Sequence, residues 1–470
     1  MTIEPVETQA ISWRDLVVDG RLPRFALVCA GTWLAAADEL VTATIMPSAA
    51  HEIGGYSAFG WAVAVFLLGS ILGGATAGRL SLRLGLKPAM TVAGLTYALG
   101  CVASALAPSM VFFLAGRLLQ GLGGGWVVGL CYVAVSSLFP QALWSRVLSG
   151  LAAVWGVATL VSPLVGGLFA QAGFWRGAFW FFAVQGVGFV AAISLLVPAT
   201  AAAADKDAAP PPFPQIGILA LAIVGIGAAG LWRAPGLAAA SALTGLILFS
   251  LFLRIDTRAK THLLPRAIGD PRSATAAGLA MIFLLNLTTV SFSVYGTALL
   301  QRLYGAPPIL AGYILGGGAL AWTFAALLIA GRGSGRGPIR IGVAMIALGQ
   351  AGLMLAVPHG SVALIGALTL TTGTGFGLAW AFAASRIVAN TPDADRALAS
   401  ASVPTASMIG AAVGAAAAGA IASGLGFGRE MSLAQASAAG FWLFAAFVPF
   451  GIAACVAAWR LTSSRFVAAL

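Results

Sequence analysis

The sequence predicts an all-α polytopic membrane protein whose fourteen spans are arranged as six, then two, then six. Three observations predict it: a composition too apolar for water, charges spaced at bilayer thickness, and a one-sided distribution of basic residues. Of the 470 residues, 60% are hydrophobic and only 8% are charged, against about 25% charged in an ordinary soluble domain. The mean hydropathy is +0.97. Charges cluster between apolar stretches of roughly 18 to 25 residues, enough for a helix to cross a bilayer. The stretches show no alternation of polar and apolar residues, which excludes a β-barrel.

The first six spans fall at about 25–47, 59–80, 89–106, 109–134, 147–170 and 177–198. The segment 201–214, AAAADKDAAPPPFP, is polar and proline-rich, the character of a linker. Two spans follow at about 215–232 and 236–254, then the basic segment RIDTRAKTHLLPR, 254–266. The last six fall at about 274–300, 309–331, 339–357, 361–388, 398–424 and 437–459. This divides the chain into an N-terminal segment 1–24, a six-helix bundle 25–198, a linker with two added helices 199–272, a second bundle 273–460 and a tail 461–470.

Basic residues test the layout. With the N-terminus inside, twenty of the 25 Lys and Arg fall on the inner side, four (Arg176, Arg233, Arg302, Arg429) on the outer side, and Arg117 within a span. That asymmetry predicts both termini in the cytoplasm. Removing one span would put every later cluster on the wrong side. The formal charge of +11 therefore reflects topology and not nucleic-acid binding. The first 23 residues hold four acids and no apolar core, so no cleavable signal peptide is expected. Cys29, Cys101, Cys131 and Cys455 all fall in spans without metal-ligand spacing. No metal cluster, nucleophile triad or cofactor loop is present, and His51, His262 and His359 are placed in loops, so an enzyme is not expected.

Each six-span half carries a Gly- and Arg-rich turn after its second span, GRLSLRLGLK (78–87) and GRGSGRGPIR (331–340). Duplicated halves around a central pathway are a recurring transporter design. Glycine pairs at i, i+4 (Gly69/Gly73, Gly74/Gly78, Gly121/Gly125, Gly410/Gly414) are expected to let helix backbones approach closely. Gly123–Gly125 is no phosphate loop, since no strand precedes it and no Lys-Ser/Thr follows.

Four motifs in order carry a resemblance. Gly78, Leu80, Ser81, Arg83, Gly85 and Lys87 match the loop motif Gly-x-Leu-(Ala/Ser)-Asp-Arg-x-Gly-Arg-Lys. RLLQGLGGG (117–125) matches Arg-x-x-Gln-Gly-x-Gly, and SPLVGG (162–167) is similar to Gly-Pro-x-x-Gly-Gly, with WRGAFW (175–180) after it. DELVTATIMP (38–47) keeps the Asp and Pro spacing of Asp-x-Thr-Ile-Val-x-x-x-x-Pro. The chain thereby resembles the fourteen-span drug:proton antiporters of the major facilitator superfamily over nearly its whole length. It departs at Leu82, Ser162 and Leu40, which stand where the motifs have Asp, Gly and Thr. The resemblance implies a major facilitator fold, alternating access, a monomer, and gating or structural roles for Gly78, Arg83, Gly85, Lys87, Ser162, Pro163, Gly166 and Gly167. Ser162-Pro163 is also expected to kink its span, with Gly166 and Gly167 packing tightly enough to seal one side of the pathway.

The residues themselves point to proton chemistry. Asp38, Glu39 and Arg117 lie well within spans, where a charge costs about 2.5–3.5 kcal/mol on insertion scales and usually marks a watery pathway. Neighbours on a helix differ by about 100°, so Asp38 and Glu39 cannot share one direction. Two readings stand: a buried Asp38–Arg117 pair that locks spans 1 and 4, or an acid whose proton affinity switches as Arg117 moves. The resemblance favours the second, with Asp38 as carrier. Substrate-binding candidates are Trp33, Gln120, Trp126, Gln185, Gln350 and Trp380, with Asn286, Thr289 and Ser293 at helical spacing on span 7 of the superfamily scheme; each could instead be interhelical glue or interfacial. Trp155 and Trp322 share that ambiguity. With no nucleotide-binding domain, energy must come from an ion or solute gradient; the resemblance implies the proton as the coupling ion, and no cofactor is expected. The expectation is proton-driven efflux of small amphipathic or organic compounds across an inner membrane. An importer, an exporter of one siderophore or lipid-like metabolite, and a non-transporting sensor are the alternatives.

Overall fold

The computed structural model describes residues 20–140, 143–198, 212–232, 234–270, 272–329, 335–392, 395–428 and 431–463, with the side chains of 57, 145, 152 and 397 left aside. The segments 1–19, 199–211, 330–334 and 464–470, and with them Arg14, Lys206, Arg332, Arg465, most of the linker and the start of the second Gly/Arg turn, lie outside the described residues, as do Arg233 and Arg429.

Among the described residues there is helix and no strand. The helices are α1 Arg21–Ile53, α2 Phe59–Leu84, α3 Leu86–Ala105, α4 Met110–Leu138, α5 Trp144–Gln171, α6 Trp175–Leu196, α7 Phe213–Ala228, α8 Pro235–Arg258, α9 Ala274–Tyr304, α10 Pro308–Ile329, α11 Arg336–His359, α12 Val362–Ala389, α13 Arg396–Gly424, α14 Leu433–Ala445 and α15 Val448–Thr462. By length and composition they supply 14 membrane spans. Helix is the only open-chain structure that satisfies every backbone group in lipid.

Two expectations need correction here. The last span is broken into α14 and α15, because Pro449 opens α15 in its first turn, where its missing N–H costs nothing, and would have disrupted a continuous helix. His51 and His359 sit in the last turns of α1 and α11, not in loops. α5, by contrast, stays helical through Pro163.

Helices α1–α6 form one bundle and α9–α15 the other. In the first, α4 packs on α2 and α3, and α1 on α4, α5 and α6; in the second, α9 packs on α13 and α15, and α12 on α10 and α11. Glycine makes the tightest of these contacts. A Cβ on Gly121 would lie 2.0 Å from the Phe66 carbonyl oxygen, one on Gly73 2.4 Å from that of Leu122, and one on Gly410 2.3 Å from that of Phe283. Gly74 and Gly78 depart from expectation. Nothing lies within 4 Å of a Cβ on either, so this pair faces open space, and close approach belongs to Gly69 and Gly73.

The extra pair α7–α8 packs on itself and, through α7, on α13 and α2. Gly227 of α7 sits against the Trp61 indole, and Phe249 of α8 stacks on Phe283 of α9 with centroids 5.5 Å apart. The inserted helices therefore cover one of the two seams between bundles, α2/α13. The other seam, α5/α10, has no such cover among the described residues.

Candidate functional site

The bundles meet at the end where Ile53 lies. Phe59 of the first packs on Tyr295 and Phe427 of the second, with centroids 5.3 and 6.1 Å apart. Gly60 abuts the backbone of Ala415, where an added Cβ would fall 2.6 Å from the carbonyl oxygen, and Gly167 abuts Ile309, where it would fall 2.3 Å from Cγ1 and 2.8 Å from Cα. Thr297 Oγ1 donates to the Ala43 carbonyl at 2.8 Å, joining α9 to α1. At the other end, where Arg21 lies, a cavity of about 830 Å³ opens between Tyr132 of α4 and the facing Trp380, Ser385, Arg396 and Pro404 of α12 and α13. The cleft is thus shut at the Ile53 face and open at the Arg21 face.

Three polar side chains meet at the α1–α4 contact. Arg117 Nη1 donates to Asp38 Oδ2 at 2.9 Å and to Gln120 Oε1 at 2.8 Å. Gln120 Nε2 donates to Asp38 Oδ1 at 2.8 Å and to Cys101 Sγ at 3.1 Å. Thr42, one turn beyond Asp38, adds a longer bond of 3.3 Å. The Arg117 guanidinium lies 4.1 Å from the Phe66 ring centroid, a cation–π contact. Asp38 is 0% and Arg117 2% exposed, so the pair is closed to solvent. Arg117 Nε finds no partner among the described residues. A buried pair repays its desolvation only where every donor is bonded, so the unpartnered Nε lowers what the pair adds to net stability.

Glu39 has the opposite surroundings. It is exposed on a helix that is mostly buried around it, and it makes no hydrogen bond or ion pair with a described residue. Its direction follows from helix geometry. Asp38 points to α4, and Ala43 lies against α9, some 140° further round α1; Glu39, at about 100°, falls between them. The gap between α4 and α9 is the cleft between the bundles, and Glu39 faces it.

Among the other candidates, Asn286, Thr289 and Ser293 share one face of α9. They are the half-buried or exposed positions on an otherwise buried stretch of that helix, and Asn286 and Thr289 bond back to the carbonyls of Ile282 and Leu285. Trp33 donates to Gln185 Oε1 at 2.8 Å between α1 and α6, and Trp126 to Thr76 Oγ1 at 2.7 Å between α4 and α2. These indoles and Gln185 are engaged within the first bundle. Gln350 is buried on α11, away from the cavity's lining residues, with Oε1 unpartnered. Trp380 does line the cavity, in an aromatic cluster with Trp322 and Phe376.

The loop-motif residues lie at the Arg21 face. Gly85, at φ +84°, makes the turn between α2 and α3 that a residue with a side chain would strain. Lys87 Nζ donates to the Ser194 carbonyl at 2.7 Å near the end of α6, where the helix dipole favours a cation. Arg83 is exposed beside Leu82. Gly166 is pressed on Val41 and Thr44 of α1, and Pro163 on Gly312 and Gly316 of α10, while Ser162 is fully buried with its hydroxyl unpartnered. Sequence reasoning missed Thr42, Phe66, Cys101, Tyr132 and Thr297. Thr42 alone carried a local signal, the i+4 spacing from Asp38.

Comparison with known proteins agrees with the fold. The chain is 29% identical over 422 residues to the probable multidrug-efflux transporter Rv1634 of Mycobacterium tuberculosis, covering 85% of this chain and 87% of that protein. It is 28% identical over 309 residues to the uncharacterized MFS-type transporter Rv1877 of the same organism, covering 63% of this chain and 42% of the relative. Among solved structures it resembles a D-xylose–proton symporter, with a TM-score of 0.65 at 16% identity over 94% of this chain and 98% of the other. The nucleoside transporter NupG gives 0.64 at 12% identity over 93% and 100%. The profile of the Major Facilitator Superfamily matches residues 28–387, and the chain belongs to that superfamily.

Proposed function

We propose that this transporter exports small amphipathic or organic compounds in exchange for protons, by alternating access. The observation that carries the reading is the pairing of opposites on α1: Asp38 sealed against Arg117 and Gln120, and Glu39 beside it facing the cleft. In this conformation the Asp38 carboxyl is engaged by a guanidinium and an amide donor. Movement of α1 against α4 that withdraws Arg117 leaves the carboxylate in an apolar setting, which favours protonation. Glu39 meets whatever occupies the cleft, proton or cargo, and relays the competition to Asp38. The Asn286, Thr289 and Ser293 face and the Trp322–Phe376–Trp380 cluster offer polar and flat apolar surface to such cargo.

The two bundles, 25–198 and 273–460, are the moving units, with 199–272 as the insert between them. The uneven distribution of Lys and Arg supports a cytoplasmic Arg21 face, which makes the described state inward-open in a cytoplasmic membrane. The resemblance to probable multidrug-efflux transporters supports export; the proposal further takes the unit as a monomer in the lipid bilayer, with a small-molecule substrate and protons as the coupling ion. The test is transport in proteoliposomes. Asp38→Asn abolishes accumulation driven by a pH gradient and leaves passive exchange of substrate; full-rate accumulation by Asp38→Asn overturns the assignment of the carrier.

A further inference from the structure

We propose that the corner between the end of α8 and the short helical turn Arg266–Gly269 binds the phosphate headgroup of an anionic phospholipid. The corner holds a cavity of about 640 Å³ lined by Leu253, Arg254, Thr257, Arg258, Ile268 and Gly269. Arg254 and Arg258 are one turn apart and both exposed, a like-charged pair that destabilises an isolated helix. No carboxylate among the described residues lies within ion-pair distance of either. The acid between them, Asp256, is fully buried and committed elsewhere: its two oxygens accept the backbone N–H groups of Leu263 and Leu264 at 2.8 and 2.9 Å. Two unneutralised guanidinium groups beside a cavity match a phosphate, which they can grip through paired N–H donors.

The surroundings select a lipid as the source of that phosphate. Only 11% of the most apolar stretch of α8 is buried in the protein, the lowest share of any span, so most of its surface meets bilayer. Leu243, Ile247 and Leu251 are exposed and continue, at spacings of 4, 4, 3 and 4 residues, into Arg254 and Arg258. One helix face thus presents an apolar stripe that ends in two cations. An acyl chain lies along the stripe while the phosphate sits at its end, at headgroup depth, where basic clusters attract anionic lipid. Leu253 and Ile268 wall the space between. Lys260, Arg266 and Arg272 nearby add to the positive field.

The occupant would bear on a joint. The backbone that Asp256 holds also reaches the second bundle, since Ser402 Oγ of α13 donates to the Leu263 carbonyl at 3.1 Å. Gln215 Nε2 of α7 donates to the Thr261 carbonyl at 2.8 Å. A lipid seated here stiffens the connection between the inserted pair and α13.

The test uses the purified full chain in detergent, titrated with phosphatidylglycerol or phosphatidylcholine, with bound lipid counted by native mass spectrometry. The wild type retains phosphatidylglycerol about tenfold better than phosphatidylcholine, and Arg254→Gln/Arg258→Gln weakens phosphatidylglycerol binding by about 30-fold, as expected for two basic residues at a lipid surface. A charge-matched change elsewhere on the same face, Arg336→Gln/Arg460→Gln, leaves that binding within about threefold, as expected for residues outside the site. Equal retention of the two lipids by the wild type overturns the proposal whether or not the variant folds. Unchanged phosphatidylglycerol binding in the Arg254/Arg258 variant overturns it too. So does displacement of the lipid by millimolar inorganic phosphate, which would make the site one for the free anion.

Discussion

Arg117 Nη1 lies 2.9 Å from Asp38 Oδ2 in a contact between α1 and α4 that solvent does not reach, and the same guanidinium rests on Phe66 of α2. Three helices of the first bundle therefore converge on one ion pair. Removing either partner strands a charge in the interior, which typically costs about 3–5 kcal/mol, whereas removing both together can be nearly neutral.

The first prediction follows from that asymmetry. Asp38→Asn and Arg117→Met each destabilise the protein by about 3–5 kcal/mol, and the double change recovers more than half of the loss. Denaturant unfolding in detergent measures it. Strictly additive losses would mean that the pair is not coupled.

Glu39 behaves differently. Because it faces the cleft without a partner, Glu39→Gln changes stability by less than about 0.5 kcal/mol, as surface substitutions do. It lowers proton-driven transport by at least about tenfold, equivalent to about 1.4 kcal/mol of lost coupling or binding. Unfolding and flux assays on one preparation separate the two effects.

The seam at the Ile53 face depends on the absence of a side chain at Gly167, which sits against Ile309. Gly167→Leu wedges α5 from α10 and opens that seam. A single cysteine at Thr297, in a chain whose four native cysteines are replaced, then becomes reactive toward a membrane-impermeant thiol reagent from the Ile53 side. In the Gly167 background it stays protected.

The bridge from Thr297 to Ala43 gives a reversible lock. A cysteine pair at these two positions cross-links under oxidant and stops transport, and a reductant restores it. The cross-linked band on a gel, read beside the flux, checks that both events share one cause.

Much of the fold was legible because the bilayer imposes lengths and the charges mark the ends. All fourteen spans appear within a few residues of their expected places, since an apolar run of that size has no other stable arrangement in lipid. The break at Pro449 was hidden inside an apolar run whose hydropathy does not change across it. Glycine spacing announced close packing but not its direction: Gly69/Gly73 and Gly74/Gly78 have the same spacing, yet only the first pair meets a neighbouring backbone. At the site, the types and depths of Asp38, Glu39 and Arg117 could be read from the chain. Their helical angles separated the two acids without saying which one faced the cleft. Cys101, Phe66 and Thr297 join the site from distant parts of the chain, and nothing local to them announces it.

The most direct test of the central claim is simultaneous recording of substrate and proton flux in proteoliposomes bearing the wild type and the Asp38→Asn/Glu39→Gln double variant. The account predicts proton release from the lumen each time substrate enters it in the wild type, and substrate equilibration without proton movement in the double variant. Uphill substrate movement that persists with both carboxylates neutralised would contradict it.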